Sequence, residues 1–567
     1  MQSSTATPGA KEVMIPGGKP TQKEILIGLA KENCTFFHTP DMIAYAEVST
    51  DGHREVWPVK SHTFRLYLER LFHKETGGSP STNARSEALS TLEALARFDG
   101  KEHPVHRRVA REGNGIVIDL GTTDWNIVLV SKDGWEILKK SLVRFHRGKD
   151  QLALPVPMTE GKIDRLFSFL NIPAESDRLL FLAWLIFSLM PGGPYVILVL
   201  RAGHGSGKSA TSRFTLCLID PRKGGLRAFP KDERDLAIAA TNGWLMAFDN
   251  LSHIPADISD ALCRLTHGAG FATRTLYENT EETIIDAKRP ILMNSISDII
   301  DRPDLADRVL LIELPPLIGT RKTEKQLEDE FEAEAPALFG AVLDLMVKVL
   351  RILPGVGYEN LPRMADFARV GIAVEEALGY ETGTFMTAYR SKREDLTANV
   401  LDHPVVQAIL HLLEKPAASP WTGIVQELKV KLEAIASESD RRSTSWPKSP
   451  KGLSNKLRNF APSLRAQGIA IEFGGHSEGG NLVTIKKTEE ERTGKDVQHV
   501  QDVQKQEPEP SRGLNIPLNI EENSLPQCSA QCSGKKFSND NNSELPEHSE
   551  HKNPTFSFQN DSVPFDL

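Results

Sequence analysis

The sequence predicts an α/β core, a parallel sheet covered by helices, with an α+β domain before it and a small domain of helices and a hairpin after it. Three observations predict this arrangement. From about Glu160, helical stretches alternate with strongly apolar strands at Tyr195–Leu200, Trp244–Phe248, Arg289–Met293 and Val309–Leu314. The first strand runs directly into a glycine-rich loop, and a basic helix precedes a hairpin at 469–487. Continuous apolar strands alternating with helices are the pattern of a parallel sheet buried on both faces.

At roughly 100–200 residues per domain, the 567 residues suffice for three or four domains. The formal net charge is −9. Taken whole, it argues against a general polyanion binder, because counter-ion release needs clustered Lys and Arg. The charge is uneven, however: 15 acids and 7 bases fall between Glu489 and Asp566, leaving 61 acids and 60 bases elsewhere. The acidity belongs to a tail, 488–567, whose Gln, Asn, Ser, Glu and Pro predict disorder. Five cysteines, Cys34, Cys217, Cys263, Cys528 and Cys532, are too few for a stapled secreted fold. A cytoplasmic location follows as the expectation, since no basic-then-apolar leader opens the chain. The apolar run Leu179–Met190 is separated from Tyr195–Leu200 by Pro191–Pro194, and neither piece reaches the ~20 residues of a membrane span. No membrane partner is expected.

Residues 1–155 are expected to form the α+β domain, with a helix at Gln22–Glu32 and paired strands at Met42–Val48 and His53–Val59. A helix at Ser61–Phe72 then has Phe64, Leu66, Leu68, Leu71 and Phe72 on its apolar side. Short β-branched runs at Gly115–Leu120, Trp125–Ser131 and Gly134–Ile137 predict a small sheet. The string IDLGTTDW, 118–125, is similar to the first phosphate loop of actin-like ATPases but lacks the second, distant motif. A strand ending in a turn explains it better. No paired-carboxylate signature marks this domain, and its role is not legible. The core is expected over 156–320 and a helical lid over 321–400, with Phe331–Leu353 its clearest amphipathic stretch.

The strongest chemical signal is YVILVLRAGHGSGKSATSRF from Tyr195. Here a strand leads through Ala202, Gly203, His204, Gly205, Ser206 and Gly207 to Lys208, Ser209 and Ala210, which open a helix. Glycines turn backbone N–H groups inward around a phosphate, and the helix N-terminus adds its dipole. Lys208 suits the terminal phosphates of ATP, and the Ser209 hydroxyl suits Mg²⁺. The usual first glycine of this loop is Ala202, and the extra glycines at 203 and 205 are expected to supply the freedom it lacks. Asp249 ends the strand GWLMAFDN, where a Mg²⁺-water ligand belongs. Asn294 ends RPILMNSI, in place to orient a water, although Asn also closes turns. Arg308, with Arg302 ranked behind it, flanks a short helix in RPDLADRV. From there an arginine can enter a neighbour's site as a finger or simply pair with Asp304 or Asp307.

The ordered set GHGSGKS, MAFDN, PILMNS and DLADR resembles the AAA+ P-loop ATPases of phages and integrative elements. Within that group it is most similar to poxvirus-type primase-helicases and superfamily-three helicases. The resemblance implies an AAA+-like P-loop NTPase that uses ATP and Mg²⁺, forms a homo-oligomeric ring with a hexamer favoured, and drives a motor on DNA. Arg308 would serve the next subunit. One departure is Asn250, where such ATPases usually carry an acid, and an amide is no general base. An initiator or loader that uses ATP as a switch is therefore the alternative to a helicase, and a regulatory ATPase with a protein partner is a weaker third.

Residues 401–487 complete the folded part. Helices at His403–Leu413 and Trp421–Ile435 precede SPKGLSNKLRNFAPSLRAQGI, which buries Leu453, Leu457, Phe460 and Leu464 and turns Ser454, Asn455, Lys456, Arg458 and Asn459 outward. Between Arg441 and Ile471 there are seven bases and no acid. With the hairpin that follows, the order resembles a winged helix, with Lys451, Lys456, Arg458 and Arg465 as the expected DNA contacts. A protein-docking domain with a solvated basic face is the other reading. In the tail, Cys528, Cys532, His548 and His551 lack the spacing and apolar helix of a zinc finger.

Overall fold

The computed structural model describes residues 19–487, except 51–52, 140, 269–270, 275–281, 286, 301, 318–321, 358–360, 415–419, 444–445 and 478–479. The acidic tail and its Cys and His residues therefore lie outside the described residues. Helix α1 (Gln22–Asn33) starts at a Thr21–Glu24 capping box. It leads into strands β1 (Cys34–His38), β2 (Ala44–Thr50) and β3 (His53–Pro58). Helices α2 (His62–Thr76) and α3 (Thr82–Phe98) follow, and β4 (Lys101–Glu102) joins the sheet in the order β3-β2-β1-β4. On α2 the buried side is Phe64, Leu68 and Phe72, one face at a spacing of four. Leu66, expected among them, is 48% exposed because two residues from Phe64 is nearly half a turn away.

A small pair of β5 (Val105–His106) with β10 (Arg144–Phe145) flanks an antiparallel sheet. That sheet consists of β6 (Val109–Glu112), β7 (Gly115–Asp119), β8 (Ile127–Ser131) and β9 (Gly134–Leu138). One face of it belongs to a core that continues into the following helices, through Ile116, Ile118, Val128 and Val130.

The parallel sheet predicted from the alternation is present. Helix α4 (Glu175–Ser188) is buried almost all round, which accounts for the long apolar run. It is followed by β11 (Ile197–Arg201), α5 (Lys208–Ile219), α6 (Glu233–Asn242), β12 (Met246–Leu251), α7 (Ala256–His267) and the hairpin β13 (Phe271–Arg274)–β14 (Glu282–Ile285). Then come β15 (Ile291–Ser295), α8 (Pro303–Ala306) and β16 (Val309–Glu313). Strand order is β12-β15-β11-β16, all parallel, so β11 is central. The β11 residues Ile197–Leu200 are fully buried between two apolar layers.

Three helices complete the core: α9 (Glu324–Ile352), α10 (Ala365–Leu378) and α11 (Thr384–Leu401). A separate apolar cluster holds the last region together: α12 (Pro404–Glu414), β17 (Trp421–Ile424), α13 (Val425–Ile435), α14 (Glu438–Arg442), α15 (Pro450–Ala466), β18 (Ile469–Ser477) and β19 (Gly480–Lys487). Trp421–Ile424, expected as the start of a helix, is a strand paired antiparallel with β19. Trp421 and the β-branched residues beside it suit that edge. Among the described residues no helix is long and apolar enough to cross a membrane.

Candidate functional site

The glycine loop leaves the C-terminal end of the central strand, where ligands sit on parallel sheets. Its left-handed positions are Gly205 (φ +72°) and Gly207 (φ +73°), where a side chain would strain the backbone. Ala202 has no positive φ and donates its N–H to the Ser295 carbonyl at 3.0 Å. The first glycine of the usual loop is therefore not needed at 202. Gly207 is the N-cap of α5 and no side chain caps that helix, which leaves its first N–H groups facing the loop.

Lys208 is half-buried and makes no hydrogen bond or ion pair among the described residues. It lines a cleft of about 440 Å³ shared by residues 203–210, Arg213, Leu317 and Leu327. The next residue, Ser209, donates to Asp249 Oδ1 at 3.2 Å. Asp249 sits at an irregularity in β12 between Phe248 and Leu251. Asn250, at the same irregularity, has φ +56°, a conformation for which Asn is among the better residues. Its N–H donates to Asn294 Oδ1 at 2.7 Å, and Asn294 Nδ2 donates to Ser212 Oγ at 3.0 Å. Asn294 is fully buried, with both ends of its amide engaged. Ser209 and Ser212 are three apart on α5 and thus share a face. One face of one helix gathers Asp249, Asn250 and Asn294.

Asn171 was not foreseen. Its Nδ2 donates to the carbonyls of Ser206 (2.8 Å) and Pro315 (2.7 Å), tying the loop to the segment after β16. No periodicity in the surrounding sequence marks it out.

Arg308 lies elsewhere. Its carbonyl accepts from Ile197 N, at the start of β11, whereas the loop follows the strand's end at Arg201. Four steps of strand, roughly 13 Å, separate the two ends, beyond the reach of Arg308 to the loop of its own chain. Its guanidinium donates to the Asp304 carbonyl, and its Nε lies 3.5 Å from His267 Nδ1. Burial, and then Arg308, push the His267 imidazole below its usual range. Among the described residues no carboxylate pairs with Arg308. Asp307 is instead bound by Arg363 and Arg393, and Arg302 by Asp260.

The basic helix α15 begins at the Ser449 N-cap with Pro450 in its first turn. Leu453, Leu457, Phe460 and Leu464 are buried against Leu428, Leu432, Ile469 and Ile485. Lys451, Arg458 and Arg465 are exposed, and Arg458 stacks 4.1 Å over the Phe473 ring. Lys456 is half-buried, its Nζ 3.3 Å from His403 Nε2. Burial, and then Lys456, lower the His403 imidazole to about 4, so it is neutral beside that cation at pH 7. Ser454, expected on the outer side, is buried, because it follows Leu453 onto the edge of the packed face. Helix α15 also packs against α8 and α11.

Residues 163–399 match the family model of actinomycete integrative conjugative element replication proteins. Residues 405–502 match the model of the C-terminal domain of that RepA protein. No curated protein matches the chain. Among solved structures, the NrS-1 C-terminal region is similar at 11% identity and TM-score 0.37, over 83% of this chain and 100% of that one. SCCmec type IV Cch, described as an active helicase, is similar at 13% identity and TM-score 0.43, over 80% of this chain and 92% of the other. JCV helicase is similar at 16% identity and TM-score 0.21, over 41% and 71% respectively.

Proposed function

We propose that the chain, whose residues 163–399 and 405–502 match the models of actinomycete integrative conjugative element replication proteins, is such a replication protein and works as an ATP-driven, helicase-like motor on DNA. The observation that carries this reading is the Ser209–Asp249 contact of 3.2 Å at the mouth of a central-strand glycine loop. A hydroxyl and a carboxylate held together there, beside an unpaired Lys208, form a donor set that suits a magnesium-bound nucleotide.

Bound ATP with Mg²⁺ supplies the transferable phosphoryl group, and the chain neutralises and positions it. The backbone of residues 202–207 cradles the phosphates. Lys208 would meet the terminal ones, and Ser209 and Asp249 would hold Mg²⁺, whose charge would offset that of the phosphates. Asn294, fastened to Ser212, fixes the Asn250 turn and with it the direction of the Asp249 carboxylate. Arg308, remote from its own loop, enters the site of the next subunit as a finger, which requires a ring of copies with a hexamer favoured. Helices α9–α11 act as the helical lid. Residues 401–487 act as a winged helix whose Lys451, Arg458 and Arg465 meet DNA phosphates, with Lys456 at the flank. A cytoplasmic setting suits such work.

Asn250 favours a second reading, an initiator that binds ATP to assemble and does not unwind. Strand separation on a forked duplex decides between the two. A motor separates strands with ATP and loses this in Lys208→Ala, whereas a switch forms ATP-dependent oligomers on DNA and leaves the duplex intact.

A further inference from the structure

The N-terminal region contains a cavity of about 210 Å³ that the nucleotide site and α15 do not use. It lies where β2 and β3 meet β8 and the segment around β10. Its polar wall carries three cations, Arg54, Lys139 and Arg144, and its apolar wall includes Trp125, Ile127 and Phe145.

The charge of this cavity is not cancelled internally. Arg54 and Arg144 share a single carboxylate, Glu47, at 3.7 and 2.7 Å. Asp119 also lines the cavity, but its carboxylate is taken by Arg147, by Gln151 and by the Gly121 N–H. Lys139 is exposed and has no ion pair among the described residues. Counting Glu112, whose carboxylate accepts from the lining Ser141, Arg54, Lys139, Arg144 and Arg147 outnumber the carboxylates of Glu47, Asp119 and Glu112 by one.

Trp125 adds an independent observation. It has φ +56°, an unfavourable conformation for a bulky residue, which persists only where its surroundings impose it. The turn from Thr122, closed by the Trp125 N–H on the Thr122 carbonyl at 3.1 Å, holds that backbone, and the Arg147 guanidinium, itself fastened to Asp119 and the Thr122 carbonyl, stacks 3.6 Å from the ring centroid. Strained residues held in this way cluster at ligand sites.

A cavity with an aromatic wall and surplus cations fits a ligand with a flat apolar part and an anionic part. We propose that it binds one nucleotide unit of single-stranded nucleic acid, the base against Trp125 and Ile127 and the phosphate at Lys139, Arg54 and Arg144. Stacking walls combined with basic grooves are how proteins hold single strands without reading sequence. This would give residues 1–155 a task, holding the strand, distinct from duplex contact through α15. The proposal rests on the motor reading only for the class of partner.

The test measures anisotropy of a fluorescein-labelled oligodeoxythymidylate of about 12 nucleotides with the full chain and no ATP. The background is Lys451→Glu/Arg458→Glu/Arg465→Glu, which removes the α15 cations. Adding Lys139→Glu should weaken binding about tenfold and reduce the logarithmic salt slope by about 0.7, and Lys139→Arg should leave both unchanged. Lys139 is exposed and unpaired, so an unchanged thermal melt certifies the fold. Unaltered affinity and salt slope in Lys139→Glu would overturn the proposal, as would a background variant that binds no single strand. Equal competition by free thymidine monophosphate would assign the cavity to a free nucleotide and overturn the strand reading. Because ATP is absent throughout, failure here leaves the motor reading standing, and failure of hydrolysis leaves this one.

Discussion

Asn250 is the residue on which the rate of the proposed reaction turns. It stands at φ +56°, its N–H fixed by the buried Asn294, one position beyond the carboxylate that touches Ser209. The sequence marks it as a departure from an acid, and the structure adds why Asn is at home there: the β12 irregularity needs a residue that tolerates the left-handed region. Asp shares that tolerance and brings a group able to accept a proton. Asn250→Asp should therefore keep the fold and raise ATP hydrolysis, by about tenfold or more if general-base assistance is what the wild type lacks. A steady-state phosphate-release assay checks this, and an unchanged rate would mean the base comes from another position. The candidates Lys208, Ser209, Asp249 and Asn294 were legible because a fixed loop motif and strand ends carry them. Asn171 was not, because its two hydrogen bonds join segments far apart in the chain.

Among the elements, α9 shows how a glycine inside a helix arises from packing. The segment before the core crosses it backbone to backbone: Met158 N donates to the Pro336 carbonyl at 3.0 Å, and a Cβ at Gly340 would lie 1.7 Å from the Met158 carbonyl oxygen. Gly340→Ala should destabilise the chain by about 3 kcal/mol as an overpacked contact with rigid backbone. Gly28→Ala in α1, where a Cβ meets nothing within 4 Å, should instead stabilise it by about 0.5–1 kcal/mol. Denaturant midpoints of both variants check the contrast, and equal effects would contradict the crossing. The parallel strands were readable as continuous apolar runs, and the basic helix as large apolar side chains spaced four, three and four apart. Helix α3 escaped notice because its buried face is Ala88, Leu92 and Ala96, a stripe with little apolar contrast. Trp421–Ile424 was misread because four residues leading into a helix have no period of their own to distinguish strand from first turn.

For the whole molecule, a net charge of −9 conceals an acidic tail, a nearly balanced body and local surpluses of positive charge. One surplus lies on α15 and another around the Arg54, Lys139 and Arg144 cavity. Arg308 lies at the end of the sheet opposite the loop, so its use as a finger requires a second copy of the chain. Neither feature follows from composition: the surpluses follow from where the charges fall along the chain and in the fold, and the place of Arg308 from the end of the sheet it occupies. The most direct test of the proposed motor is ATP hydrolysis by the full chain, with and without single-stranded DNA, in wild type and Lys208→Ala. The account predicts hydrolysis that rises with DNA and falls at least about 100-fold in Lys208→Ala, the scale of losing one charge stabiliser of the transition state. Hydrolysis indifferent to DNA, or surviving in Lys208→Ala, would contradict it.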